Sequence, residues 1–260
     1  MKISIIGAGA MGGAFAEGLL KSDSVKASEI TVANPHTDKL EKFATMGASI
    51  TTDNKAAATG ADIVVIAVKP WLVEKVVTEI KPILDYKKQI IINMAAAISS
   101  TQLFEWTAKG EEKPAIFQII PNIAIAVKAS MTFIVPCNAS DEQTNMVKGI
   151  FDNVGQTYLT DEQHLGAGTT LASCGIAYAM RYFRAASEGG VELGFYPNQA
   201  KEIVLKTVKG AVDLLIANQS NPETEIDKVT TPGGITNKGL NEMELSGFTS
   251  SVIRGLKASK

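Results

Sequence analysis

Residues 2–20 read KISIIGAGAMGGAFAEGLL, and this stretch decides the fold. Ile3, Ile5 and Ile6 make an apolar run of the kind that a buried parallel strand carries. Gly7, Gly9 and Gly12 follow at G-x-G-x-x-G spacing, and an Ala- and Leu-rich helical segment follows them. Each glycine has its own duty. Gly7 permits a tight turn, Gly9 lets the backbone approach a pyrophosphate, and Gly12 lets helix and strand pack closely. The helix N-terminus then offers unpaired N–H groups to phosphates. The glycine pattern alone is weak, because a Gly-rich turn needs no ligand. The strand before it and the helix after it are the context that makes it a dinucleotide-binding fingerprint.

Working outward, strands and helices alternate. Short strands are expected at 29–33 and 49–51, with a helix over 37–46 between them. A helix start lies at 53–59. DIVVIAV at 62–68 is β-branched without interruption and reads as a central parallel strand. Residues 71–80 are amphipathic, with Leu72, Val73, Val76, Val77 and Ile80 on one face. Further strands are expected at 89–93, 115–120, 131–135 and 155–159, and Ser99 to Gln102 cap a helix running to Ala108. Strands separated by helices imply an α/β doubly wound parallel sheet, a Rossmann domain over residues 1–160.

Beyond Thr160 the strands stop, and residues 161–260 read as all-α. A long helix over 165–186 carries the small residues Gly166, Gly168, Ala172, Ser173, Gly175, Ala177 and Ala179, a surface that another helix can approach closely. A second helix over 197–217 begins with proline and has a wide apolar face. Two shorter helices are expected at 234–246 and 249–258. So short and apolar a helical region does not make a comfortable domain by itself, and pairing with a second copy of the chain is the natural remedy.

Composition bounds the function. Of 260 residues, 45% are hydrophobic and 20% charged, enough for a normal core. A net charge of −2 gives no electrostatic reason to expect a nucleic-acid partner. No apolar run approaches a membrane span, and the first strand begins almost at Met1, so a cytoplasmic protein is expected. Cys137, Cys174, His36 and His164 lack any spacing that points to disulfides or a metal.

The candidate cofactor residues are Ile6, Gly7, Gly9, Ala10, Met11, Gly12, Asn34, Asn54, Ala67, Val68, Lys69, Pro70, Ala95, Ala96 and Asn122. They fall at the carboxyl ends of successive strands, where ligands bind in open α/β sheets. An acid at the end of the second strand would bind the ribose 2′-OH of NAD and repel a 2′-phosphate. Here Asn34-Pro35-His36-Thr37 stands instead, with Lys39 close by, which favours NADPH and leaves NADH as a possible substitute. His36 reads equally well as a solvated loop residue. Small Ala95 and Ala96 suit a flat nicotinamide ring.

Four stretches together resemble the pyrroline-5-carboxylate reductase family. They are Ile6 to Gly12, Ala67-Val68-Lys69-Pro70, Gly175 to Tyr178 with Glu188 to Val191, and Thr231-Pro232-Gly233-Gly234-Ile235-Thr236. The last is the most specific. The resemblance covers the chain from Met1 to about Lys257. It implies a Rossmann domain followed by a helical dimerisation domain, a homodimer that can assemble further into a decamer, and NAD(P)H-dependent reduction of the cyclic imine 1-pyrroline-5-carboxylate to L-proline. It also implies Thr236 as the catalytic residue, and Thr231, Gly233, Gly234, Ile235 and Glu162 as substrate-binding residues. Backbone N–H groups in the Pro-Gly-Gly turn, at the positive end of a helix dipole, suit the substrate carboxylate. The chain departs from the family pattern at Ile123, Ala124 and Cys174, which bears on the identity of the imine.

Three other readings compete. A β-hydroxyacid dehydrogenase needs a catalytic lysine on the long helix, and none lies between Lys148 and Lys201. A reductase of another cyclic imine stays open, and so does a non-catalytic NADP-binding protein, although the latter leaves the Pro-Gly-Gly-Ile-Thr turn unexplained.

Overall fold

A computed structural model describes residues 1–22 and 24–259. Its described residues divide into two compact units, 1–174 and 175–260.

The first unit is built on an eight-stranded sheet. β1 is Ile3–Ile6, β2 Ile30–Ala33, β3 Ser49–Thr51, β4 Ile63–Ile66, β5 Ile90–Asn93, β6 Ala115–Ile120, β7 Ser130–Cys137 and β8 Gly155–Leu159. The spatial order is β3-β2-β1-β4-β5-β6-β7-β8, so the chain reverses direction across the sheet beside β1. Such a switch point leaves a crevice at the carboxyl ends of the strands. Pairing is parallel except between β6 and β7, where Gln118 faces Val135 in antiparallel register. That exception corrects the all-parallel expectation. Residues 121–129 are too short for the crossover helix that a parallel pair needs, so the chain turns back on itself.

Helices α1 (Ala10–Leu20), α2 (Glu41–Thr45), α3 (Asn54–Ala58), α4 (Pro70–Ile80), α5 (Ser100–Thr107) and α6 (Asp141–Asp152) cover the sheet. β1 shows why both faces need cover. Ile3 and Ile5 join a core with Phe15, Leu19, Phe43 and Phe151, while Ile6 joins a second core with Val73, Val77, Ile80 and Leu103. Phe15 of α1 stacks on Phe151 of α6 with ring centroids 4.9 Å apart. The expected helix over 37–46 is two pieces, a 3-10 turn at Thr37–Lys39 and then α2.

The expected single helix from 165 to 186 is also interrupted. α7 (Glu162–Gly168) runs into a π-helical segment, Thr169–Cys174, before α8 (Gly175–Glu192) begins. One of its small residues, Gly168, is taken up within the first unit. A Cβ on Gly168 would lie 2.7 Å from the Phe133 ring, so Gly168 clears space for a strand rather than a helix.

In the second unit α8 and α9 (Pro197–Asn218) approach each other closely at Gly190, where a Cβ would come 2.9 Å from the Ala200 Cβ. α10 (Pro222–Lys228), α11 (Ile235–Leu245) and α12 (Phe248–Ala258) complete it. No side chain of α8, α10, α11 or α12 is fully buried within the chain. Leu193, Ile216, Ile235 and Leu245 are 71–84% exposed, a large apolar load to leave in water.

Candidate functional site: the crevice beside β1 and the turn before α11

Gly7, Gly9 and Gly12 sit in three different surroundings. Gly7 has φ +108°, and a Cβ there would lie 2.6 Å from the Ala67 carbonyl oxygen. A Cβ on Gly12 would lie 1.9 Å from the Gly7 carbonyl oxygen and 2.8 Å from the Ala67 Cβ. A Cβ on Gly9 would meet nothing within 4 Å. Two glycines are therefore required by the protein itself, and the third faces open space. Gly9 is also the N-cap of α1 and supplies no side-chain cap, so the first N–H groups of α1 are open to a ligand.

A cavity of about 580 Å³ opens from this loop. Of the expected cofactor residues, Ile6, Gly7, Gly9, Ala10, Met11, Asn34, Asn54, Ala67, Val68 and Lys69 line it. Gly12 and Pro70 shape its walls from behind: Gly12 by its fit to Gly7, Pro70 by starting α4. Ala95, Ala96 and Asn122 lie elsewhere in the first unit. Asn122 is buried, accepts from the Ala124 N–H at 3.0 Å and donates to the Ala172 carbonyl at 3.2 Å, so its amide ties the π-helical segment to the turn after β6.

Sequence reasoning missed one wall of the cavity. Leu72, Lys75, Val76 and Glu79 of α4 line it, together with Ile123. Positions 72, 75, 76 and 79 follow helical i, i+3, i+4, i+7 spacing, a stripe beside the apolar core face. Glu79 accepts from the Asn54 Nδ2 at 3.0 Å, which holds α3 to α4 at the cavity edge. His36, Lys39, Lys69 and Lys75 give the walls four basic side chains against the single carboxylate of Glu79.

Asn34, expected among the cofactor residues, is also held by the protein itself. Its Oδ1 accepts from the Ala8 N–H at 3.2 Å, and its Nδ2 donates to the His36 carbonyl at 3.1 Å. The buried amide therefore braces the glycine loop against the turn after β2. An Asn34→Asp exchange removes that donor as well as adding charge, so it is a poor probe of cofactor choice.

A second cavity of the first unit, about 300 Å³, is lined by Ala95, Ala96, Ala97, Gln118, Glu162 and Thr169 among others. Glu162 was expected to bind substrate. Its Oε1 accepts from the Ser100 N–H at 2.8 Å, its Oε2 from the Ser100 hydroxyl at 2.5 Å, and Gln118 Nε2 donates to it at 3.3 Å. Burial pushes the nearby Cys137 thiol up to about 11, and the Glu162 charge adds to the effect, which favours the thiol over the thiolate.

Thr231, Gly233, Gly234, Ile235 and Thr236 belong to the second unit. The Gly234 N–H donates to the Thr231 carbonyl at 2.8 Å, and Gly233 takes φ +75°, which closes a tight turn. Gly234 is the N-cap of α11 and has no side chain to cap it. Thr236 sits in the first turn of α11, half-buried. The free N–H groups at this end are a ready place for a carboxylate.

Residues 162–260 match the family model described as pyrroline-5-carboxylate reductase dimerisation, and residues 2–97 match that described as NADP oxidoreductase coenzyme F420-dependent. A pyrroline-5-carboxylate reductase 2 from Dictyostelium discoideum is 33% identical over 99% of this chain and 90% of its own length. The chain belongs to the pyrroline-5-carboxylate reductase family. A pyrroline-5-carboxylate reductase 1 from the same organism is also 33% identical over 99% of this chain, which spans about half (48%) of that relative. The crystal structure of Plasmodium falciparum pyrroline carboxylate reductase with NADP bound superposes with a TM-score of 0.91 at 25% identity, covering 100% of this chain and 95% of that one. The match to the dimerisation model begins at α7, whereas the compact units divide after the π-helical segment. Among the described residues no helix is long and apolar enough to cross a membrane.

Proposed function

We propose that the chain reduces 1-pyrroline-5-carboxylate to L-proline with NADPH, and less well with NADH. Membership of the reductase family along the full chain carries this reading. The open space at Gly9 is where the residues present fit a dinucleotide. When bound, NADPH supplies the hydride. The glycine loop and the α1 N-terminus hold the pyrophosphate, His36 and Lys39 face the 2′-phosphate, and Ala95 and Ala96 accommodate the nicotinamide. The substrate carboxylate rests on the N–H groups that begin α11, with Thr231 bracing the turn and Thr236 hydrogen-bonded to the ring nitrogen. A cyclic imine becomes its own electrophile once protonated, so no metal or lysine is needed to activate it. Residues 1–160 serve the cofactor, and 161–260 serve the substrate and assembly in the cytoplasm. NADPH consumption with 1-pyrroline-5-carboxylate, beside NADH and beside other cyclic imines, tests the reading. Turnover fastest with 1-pyrroline-5-carboxylate and NADPH is expected, and no turnover with it rejects the proposal.

The charge on the cavity walls sets the cofactor preference. A partly exposed ion pair is worth about 1 kcal/mol, so Lys39→Ala should cut the NADPH-over-NADH ratio of kcat/KM about fivefold. An unchanged ratio would place the 2′-phosphate on another cation.

The apolar exposure of the second unit favours a homodimer, or a larger ring of dimers. Light scattering of the full chain should give at least twice the monomer mass. A monodisperse, active monomer is the outcome that excludes this.

A further inference from the structure

The loop between β5 and α5 is held in a conformation that its sequence resists. Ala97 adopts φ +62°, a left-handed backbone that alanine disfavours. Such a residue persists only where its surroundings fix it from several sides. Here they do. Asn93 and Gln118 are buried and sit opposite each other in register on β5 and β6. Asn93 Nδ2 donates to the Gln118 Oε1 at 3.0 Å and to the Ala95 carbonyl at 2.9 Å, while its Oδ1 accepts from the Ala95 N–H at 3.2 Å. Gln118 Nε2 donates to the Ile98 carbonyl at 2.8 Å and to Glu162 at 3.3 Å. Glu162 takes the Ser100 N–H and hydroxyl. The loop is thus gripped before, after and beyond Ala97 by one connected network that ends on a carboxylate from another element, α7.

We propose that Asn93, Gln118 and Glu162 are positioning residues that hold Ala97 left-handed, so that Ala95 and Ala96 present a fixed flat wall to the nicotinamide end of the cofactor. The proposal rests on the cofactor reading given above. It recasts Glu162, which acts through the loop and not on the substrate. A connected polar network of this kind specifies one geometry because each buried amide is costly to leave unpaired.

Glu162→Ala is the informative variant, because Glu162 is exposed whereas Asn93 and Gln118 are buried. The left-handed preference at stake corresponds to about a tenfold effect. NADPH should bind about tenfold more weakly to Glu162→Ala, whereas adenosine 2′,5′-bisphosphate, which lacks the nicotinamide end, should bind as to the wild type. The amide hydrogens of Ala95 and Ser100 should exchange faster. Adding Ala97→Gly should restore most of the NADPH affinity, because glycine adopts φ +62° without penalty. Equal weakening for both ligands, or no rescue by Gly at 97, overturns the proposal. All of these readouts are independent of turnover. A wild type that fails to reduce 1-pyrroline-5-carboxylate, yet whose variants keep this binding pattern, rejects the proposed reaction and leaves the positioning role standing.

Discussion

Gly12→Ala should lose thermal stability and NADPH binding together, whereas Gly9→Val should lose NADPH binding alone. The contrast follows from what each new Cβ meets. At Gly12 it lands 1.9 Å from a backbone carbonyl and 2.8 Å from the Ala67 Cβ, neither of which is the end of a flexible chain. α1 must move off β1 and β4, and overpacking of this kind costs about 1–3 kcal/mol or more. In a chain of this size that corresponds to a fall in Tm of roughly 3–10 °C. At Gly9 the same atom enters open space, and its extended backbone (φ −73°, ψ −168°) suits valine. The N-cap exchange costs about 1 kcal/mol or less. The branched side chain nevertheless fills the room that a pyrophosphate needs. One lost charge-assisted hydrogen bond is worth about 1.5–3 kcal/mol, so NADPH binding should weaken by at least about tenfold. Calorimetry and a fluorescence titration read both variants. If Gly9→Val binds NADPH normally, the phosphate lies elsewhere. If Gly12→Ala melts with the wild type, the close packing of α1 is not what that glycine provides.

The glycine loop was legible in the sequence because G-x-G-x-x-G spacing between a strand and a helix is a local signature, even though the atoms that crowd Gly7 and Gly12 include those of Ala67, far along the chain. Other features were written just as locally and still went unread. α6 starts with a reciprocal capping box, Ser140 with Gln143, and α10 with an Asn221 cap and Pro222 in its first turn. Both are sequence signals of a helix start. The antiparallel return of β7 was likewise implied by the shortness of residues 121–129. What sequence could not give is long-range pairing. Glu162 meets Ser100 across 62 residues, and Glu79 meets Asn54 across 25. Neither partner is marked by composition or period. The π-helical segment is similar: nothing in Thr169–Cys174 announces an extra residue per turn, and the Asn122 amide that meets its Ala172 carbonyl comes from a distant strand end.

Thr236→Val should lower kcat for imine reduction by about 10²-fold, the low end of general acid catalysis, with NADPH affinity unchanged. Valine keeps the shape of threonine and removes only the hydroxyl, so the first turn of α11 and its free N–H groups persist. Substitution at Gly234 is a worse probe, because a Cβ there would lie 2.7 Å from the Thr231 Oγ1 and 2.9 Å from the Thr231 carbonyl oxygen. It would distort the turn whether or not a carboxylate binds. Thr236→Ser should recover most of the lost rate, because it returns the donor. The residual activity of Thr236→Val has its own signature. Without the hydroxyl the imine takes its proton from solvent, so the rate follows the protonated fraction of the substrate. Above the substrate's own pKa that fraction falls about tenfold per pH unit. The variant should therefore lose activity with rising pH more steeply than the wild type, and the gap between them should widen toward high pH. A constant ratio across pH would mean that Thr236 orients the ring without supplying its proton. Unchanged kinetics in Thr236→Val would move the donor off α11 altogether.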